Sequence, residues 1–118
     1  MELALWADCR VMAQGAYMGV YCRRRGIPLV DGGTVHLPRI VGLDRALEII
    51  MTGRKVDAEE CLRIDLCEKV VLRGEARKAA EEMAQDIARF PQACVRRPAL
   101  GLPAVGPVRA RGARSGMG

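Results

Sequence analysis

The 118-residue chain is half hydrophobic, has only four aromatic residues, and carries a net charge of +5. That charge resides in residues 96–118, where Arg96, Arg97, Arg109, Arg111 and Arg114 stand without an acid, so the rest of the chain is neutral and exerts no special pull on nucleic acid or membrane. The length suits one small domain; five cysteines without a Cys-x-x-Cys pair, a single histidine and the lack of a long apolar run exclude a spaced metal site and a spanning helix. Scattered thiols of this kind fit a reducing, intracellular setting, cytoplasm or mitochondrial matrix.

In chain order, residues 2–9 place Leu3, Trp6 and Ala7 at helical spacing with Leu5 and Cys9 beside them, which predicts a short buried helix with Trp6 in the core. "RVMAQ" and "AYMGVY" read as two brief strands separated by Gly15. "RRRGIPLVDGGT" is a loop, punctuated by Gly26, Pro28, Gly32 and Gly33. A short helix is expected from Gly33–Thr34 to Val41, closed by Gly42, with His36 on its surface. The next helix is the clearest: Leu43, Ala46, Leu47, Ile50 and Met51 form its apolar stripe and Gly53 ends it. Asp57 with Glu60 three residues on predicts a capped helix over Ala58–Ile64, with Leu62 and Leu66 facing inward.

"EKVVL" reads as a third strand. Residues 75–89 form an amphipathic helix with Ala76, Ala79, Ala80, Met83 and Ile87 as its stripe. Pro91 breaks that helix and "PQACVR" begins another. Residues 96–118 lack periodicity and acids, and the expectation is a disordered Arg/Gly/Pro-rich tail. The inventory is α/β and helix-rich, with too few strands for a complete sheet.

The segments "ELALWADCRV", "MGVYCRRRGIPLVDGGTVHLPRIVG" and "RALEIIMTGRKVDAEECLRIDLCEKVV" follow one another in an order that resembles the crotonase superfamily of enoyl-CoA hydratases and isomerases. Those proteins share a Gly-Gly-Gly-x-Glu-Leu-Ala turn into a helix, a loop ending Gly-Gly-Thr, a helix ending Leu-Thr-Gly, and an "A-x-x-G-L-V" segment. Here that last segment is changed to Cys61-Leu62-Arg63-Ile64-Asp65-Leu66. The resemblance covers about residues 2–95 and implies a partial crotonase (ClpP/crotonase-like) fold lacking most of its β-β-α spiral. Domain bounds are expected at 1–95 and 96–118. Met1 occupies the x of the glycine-rich turn, so the resemblance also implies that the upstream half is absent. That half would hold the spiral, the loop giving the first oxyanion-hole amide and most of the CoA-binding surface. The tail departs from the family at Arg96, as a changed reading frame or splice after Val95 would make it do.

The resemblance implies the site residues as well. Glu2 matches the family's first catalytic glutamate, a general acid/base towards the enoyl carbon; read alone, it is a carboxylate at a helix N-terminus. The second glutamate's position falls on Cys22, which leaves either a small pocket-lining residue or a thiol among Arg23, Arg24 and Arg25. Those three arginines read as a solvated basic loop or as contacts for CoA phosphates. Asp31 falls where the dienoyl-CoA isomerase branch keeps a shuttling carboxylate, and equally suits the role of a loop cap. Gly32 and Gly33 leave backbone uncrowded at the substrate.

The expected function is that of an acyl-CoA-processing fragment, inactive alone. It would have no cofactor beyond the coenzyme A of the substrate, and an acyl-CoA thioester as partner. The family's trimer or hexamer is in doubt here, and no membrane partner is expected. The alternative is a non-catalytic interaction piece whose tail binds polyanions such as RNA.

Overall fold

The structure, a computed structural model, describes residues 1–28 and 32–96. The predicted tail, apart from Arg96, lies outside the described residues. Contacts divide the chain into two units, Met1–Ala80 and Glu81–Gly118.

In the first unit, one turn of helix, α1 (Glu2–Leu5), leads to strand β1 (Val11–Ala13) and then to β2 (Tyr17–Gly19). A 3-10 turn (Cys22–Arg25) precedes α2 (Gly33–Val41) and α3 (Leu43–Thr52); then come β3 (Lys55–Asp57), α4 (Ala58–Arg63), β4 (Lys69–Val71) and α5 (Ala76–Ala88), which runs on into the second unit. The strands form two separate pairs. β1 runs parallel to β4 with Met12 opposite Val70, and β2 runs antiparallel to β3 with Met18 opposite Val56. The β1–β4 pair is bridged by all the helices between them, as a parallel pair requires. β3 is the element that its sequence does not announce: three residues are too short a run to signal a strand, and the pairing with β2 alongside makes it one.

The breaks occur where local chemistry puts them. Gly53 takes the left-handed conformation (φ 60°) that ends α3, and its N–H donates to the Ile49 carbonyl at 3.1 Å. The Asp57 carboxylate accepts from the Glu60 N–H at 2.8 Å and caps α4. The reciprocal half of a capping box is not made, because the Glu60 side chain turns to the Arg54 guanidinium instead, with two bonds of 2.8 Å. Those bonds hold the Glu60 carboxyl below its usual range and raise Arg54 further. Glu48 completes the cluster with a 2.7 Å bond to Arg54 Nε.

At the end of α4, Asp65 N–H donates to Leu62 and Leu66 N–H to Cys61 (3.3 and 2.8 Å), a Schellman closure whose turning residue is normally glycine. Here Asp65 stands there at φ 65°, the one non-glycine residue with positive φ among those described. Left-handed backbone costs a side chain roughly 1–2 kcal/mol, less for Asp than for most. Asp65→Gly is therefore expected to raise stability by about 0.5–1 kcal/mol after the greater unfolded-state freedom of glycine is subtracted, and Asp65→Val to lower it. Urea denaturation of the three chains measures both.

Leu37, Ile49, Leu66, Val20, Val56 and Cys61 are the largest fully buried side chains, and they belong to one cluster that gathers residues from α1 to the start of β4. Each buried aliphatic chain contributes about 1.5–3 kcal/mol. Four expected faces are corrected. α1 buries only Leu5; Leu3 is 85% exposed and Trp6 64%, because the helix lasts one turn and Trp6 leans on His36 (ring centroids 4.6 Å apart) rather than entering the core. On α3 the buried set is Ala46, Ile49 and Ile50, while Leu43, Leu47 and Met51 are exposed: α2 packs one residue further round the helix than the expected stripe. On α4, Cys61 is buried and Leu62 exposed, with Leu66 inward as expected. α5 buries Ala79 alone, with Ala76 and Met83 half-buried and Ala80 and Ile87 exposed.

In the second unit, Arg89 pairs with Asp86 at 3.3 Å, and the Gln92 amide donates to the Phe90 carbonyl at 2.9 Å. Residues 92–96 are helical, as "PQACVR" predicts.

Candidate active site

Glu2 opens α1. Its Oε2 lies 3.7 Å from the Met1 nitrogen, and its Oε1 is sealed from solvent without any hydrogen-bond partner. A buried carboxylate oxygen left bare is costly, so this is where the chain holds back a strong acceptor. Only one other side-chain N or O atom among the described residues shares that condition, the hydroxyl of Tyr21. Tyr21 stands one residue before Cys22 in the sequence. Cys22 itself begins the 3-10 turn as a half-buried free thiol, and its carbonyl accepts from the Ile27 N–H at 3.0 Å. Arg24 is not purely solvated: its guanidinium lies 5.0 Å from the centre of the Tyr21 ring.

Gly32 sits at φ 83°, and its carbonyl accepts from the N–H groups of Val35 (3.0 Å) and His36 (2.9 Å) to start α2. A Cβ there would press on the His36 ring at 3.2 Å and touch Trp6 at 3.4 Å, so the left-handed backbone is what favours glycine. Gly33, the first residue of α2, is buried. The structure thus brings α1 and the start of α2 together through Trp6, His36 and Gly32. Asp31 lies outside the described residues.

The geometry matches known proteins. The family model described as enoyl-CoA hydratase/isomerase matches residues 1–98. This chain belongs to the enoyl-CoA hydratase/isomerase family. Among curated relatives it is 41% identical over 88 residues to the glyoxysomal fatty acid beta-oxidation multifunctional protein MFP-a of Brassica napus, covering 75% of this chain and 12% of that protein. It is 39% identical over 95 residues to human enoyl-CoA hydratase domain-containing protein 2, mitochondrial, covering 79% of this chain and 32% of that one. Among solved structures, an enoyl-CoA hydratase from Mycobacterium avium aligns with a TM-score of 0.84 at 27% identity, covering 95% of this chain and 50% of that one. Pseudomonas aeruginosa DspI aligns at 0.77 and 40% identity, covering 80% of this chain and 36% of that one. The chain therefore spans half or less of each of these relatives, and its few strands and many helices are a part of the crotonase fold.

Other chemistry-bearing groups of this family member lie elsewhere. Burial pushes the Cys61 thiol up to about 12 and raises Cys67 as well, so neither is a nucleophile near neutrality. An open groove of about 640 Å³ beside Arg54, lined by Leu43, Asp44, Arg45 and Glu48 among others, contains none of the expected site residues. Among the described residues no helix is long and apolar enough to cross a membrane.

Proposed function

We propose that this chain forms the rear wall of an acyl-CoA thioester site, serving enoyl-CoA hydration or double-bond isomerisation, with Glu2 as its acid/base. The observation that carries the reading is the bare, buried Glu2 Oε1. It stands where the resemblance puts the family's first catalytic glutamate. Relatives named for enoyl-CoA hydratase and fatty acid beta-oxidation support the substrate class.

In hydration, water gives up one proton to a carboxylate as its oxygen bonds to the carbon β to the thioester, and the alkene electrons move onto the thioester oxygen as an enolate. A proton then arrives at the α carbon as the carbonyl re-forms. Glu2 is the group that moves a proton here; Asp31 is its proposed partner, Cys22 a lining residue, and Gly32 and Gly33 give room for the acyl thioester. Backbone amides stabilising the enolate are worth on the order of 2.7–4 kcal/mol each, and we assign at least the first of them to sequence outside this chain.

The 118-residue chain is accordingly proposed to be inactive by itself. Crotonyl-CoA hydration, followed by loss of the enoyl thioester's ultraviolet absorbance, is expected to be undetectable with the chain alone. It is expected to be restored in a chimera in which the aligned stretch of this chain replaces its counterpart in the human relative. A clear rate from the chain alone, or a folded chimera that binds no acyl-CoA, contradicts the proposal.

A further inference from the structure

The β1–β4 pair is a parallel sheet of two strands, and among the described residues no third strand joins it. Parallel strands belong to larger, covered sheets, and a sheet of two strands is marginal in water. One edge of the pair therefore calls for a neighbour. The hydrogen bonds at the two ends of β1 tell its edges apart. The Arg10 carbonyl accepts from the Glu68 N–H at 2.9 Å, and the Gln14 N–H donates to the Val71 carbonyl at 2.7 Å. Alternate residues of a strand turn their backbone groups to the same edge, so Arg10, Met12 and Gln14 serve β4. Val11 and Ala13, which lie between them, turn theirs to the opposite edge. The Ala13 carbonyl takes the Ala16 N–H at 3.1 Å, which leaves the Val11 N–H and carbonyl and the Ala13 N–H facing that edge.

The two strands also differ in chemistry. β4 begins at an exposed Lys69, the kind of charge that keeps an edge strand from pairing further. β1 is Val-Met-Ala, without charge or proline, and its Met12 is buried. It has the make-up of an interior strand and stands at an edge. The chain covers 50% of the Mycobacterium avium enoyl-CoA hydratase and keeps that protein's fold at a TM-score of 0.84, so the remainder of such a protein is the source of a neighbour for β1. We propose that the free edge of β1 is a docking edge for an extended, uncharged segment from the part of the fold outside this chain. The segment runs parallel to β1, bonds to Val11 and Ala13, and docks from a separate polypeptide as well as from a continuous one. This assignment rests on the reading of the chain as one wall of an incomplete site, and not on the role given to Glu2.

The test refolds the full 118-residue chain from urea together with a second polypeptide, the part of the human relative N-terminal to the aligned stretch, with the covalent chimera as positive control. Sedimentation reads the complex, and NMR reads amide hydrogen exchange in the labelled chain alone and in the mixture. The expected result is a one-to-one complex in which the Val11 and Ala13 amides exchange about 100-fold more slowly than in the chain alone. Ala13→Pro removes an N–H that β4 does not use. It is expected to leave the melting temperature of the chain itself within about a degree and to weaken the complex about tenfold. No complex under conditions where the chimera folds overturns the proposal, as does a complex that leaves both amides unprotected. Protection of those amides in the chain alone, by a second copy or by its own residues, overturns it as well. So does a drop of several degrees in the melting temperature of Ala13→Pro, because that N–H then has a partner within the chain. A complex that forms and does not hydrate crotonyl-CoA upholds the docking edge and counts against the acyl-CoA reading instead.

Discussion

Glu2→Gln in the chimera with the human relative is expected to lower crotonyl-CoA hydration by about 10²–10⁴-fold while leaving its melting temperature unchanged. Glutamine keeps the shape of the side chain but cannot take up or release the proton. The Oε1 of Glu2 holds no hydrogen bond in the protein, so its replacement breaks none. The remaining contact is the 3.7 Å approach of Oε2 to the Met1 nitrogen. In the chimera that nitrogen is an uncharged peptide amide, so no ion pair is left for a purely structural Glu2 to serve. A rate within a few-fold of the parent chimera would rule out acid/base duty for this residue. A large loss of rate with a parallel loss of folding would be ambiguous for alanine, which opens a hole, and the isosteric amide avoids it.

Arg10→Ala is expected to destabilise the chain by about 1–3 kcal/mol in urea denaturation. Arg10 is 9% exposed, and its guanidinium serves three acceptors: the Leu66 carbonyl through Nε (2.7 Å), the Ala7 carbonyl through Nη1 (2.7 Å), and Glu68 Oε1 through Nη2 (3.3 Å). Its backbone N–H donates to the other Glu68 oxygen, and the Glu68 N–H returns a 2.9 Å bond to the Arg10 carbonyl. One side chain therefore ties the stretch between α1 and β1 to the start of β4, across 56 to 58 residues of sequence. Truncation strands the buried Leu66 carbonyl, while the exposed Ala7 and Glu68 can turn to water, and an unpaired buried group costs more than its bond contributes. Arg10→Lys should recover only part of the loss, because one ammonium cannot reproduce the planar fork. A double-mutant cycle with Glu68→Ala should give a coupling of about 0.5–3 kcal/mol. A loss under about 1 kcal/mol for Arg10→Ala would mean that water replaces these contacts and that the clamp is incidental.

Much of the path of the chain is legible in short stretches of its sequence. The spans of α2, α3, α4 and α5, the stop at Gly53, the Asp57 cap and the strands β1, β2 and β4 all follow from chemistry within about one turn or one strand of the residue concerned. The ordered motifs pointed to the family, because they preserve spacing that the fold imposes. Glu2, Cys22, Gly32 and Gly33 became candidates in the same way, and the left-handed backbone at position 32 suits its glycine.

Facing is another matter. α3 is apolar on most sides, so its residues permit two adjacent stripes, and α2 selects Ala46, Ile49 and Ile50 over Leu43, Leu47 and Met51. β3 is a strand because β2 offers it hydrogen bonds, not because Lys55–Asp57 prefers to extend. The Arg10 clamp joins residues nearly half the chain apart, and the bare oxygens of Glu2 and Tyr21 exist only once the surrounding residues have closed over them. Helix ends and caps are short-range equilibria that neighbouring residues settle among themselves. Burial and unpaired polarity depend on which surfaces meet, and those surfaces come from segments that the linear order keeps far apart.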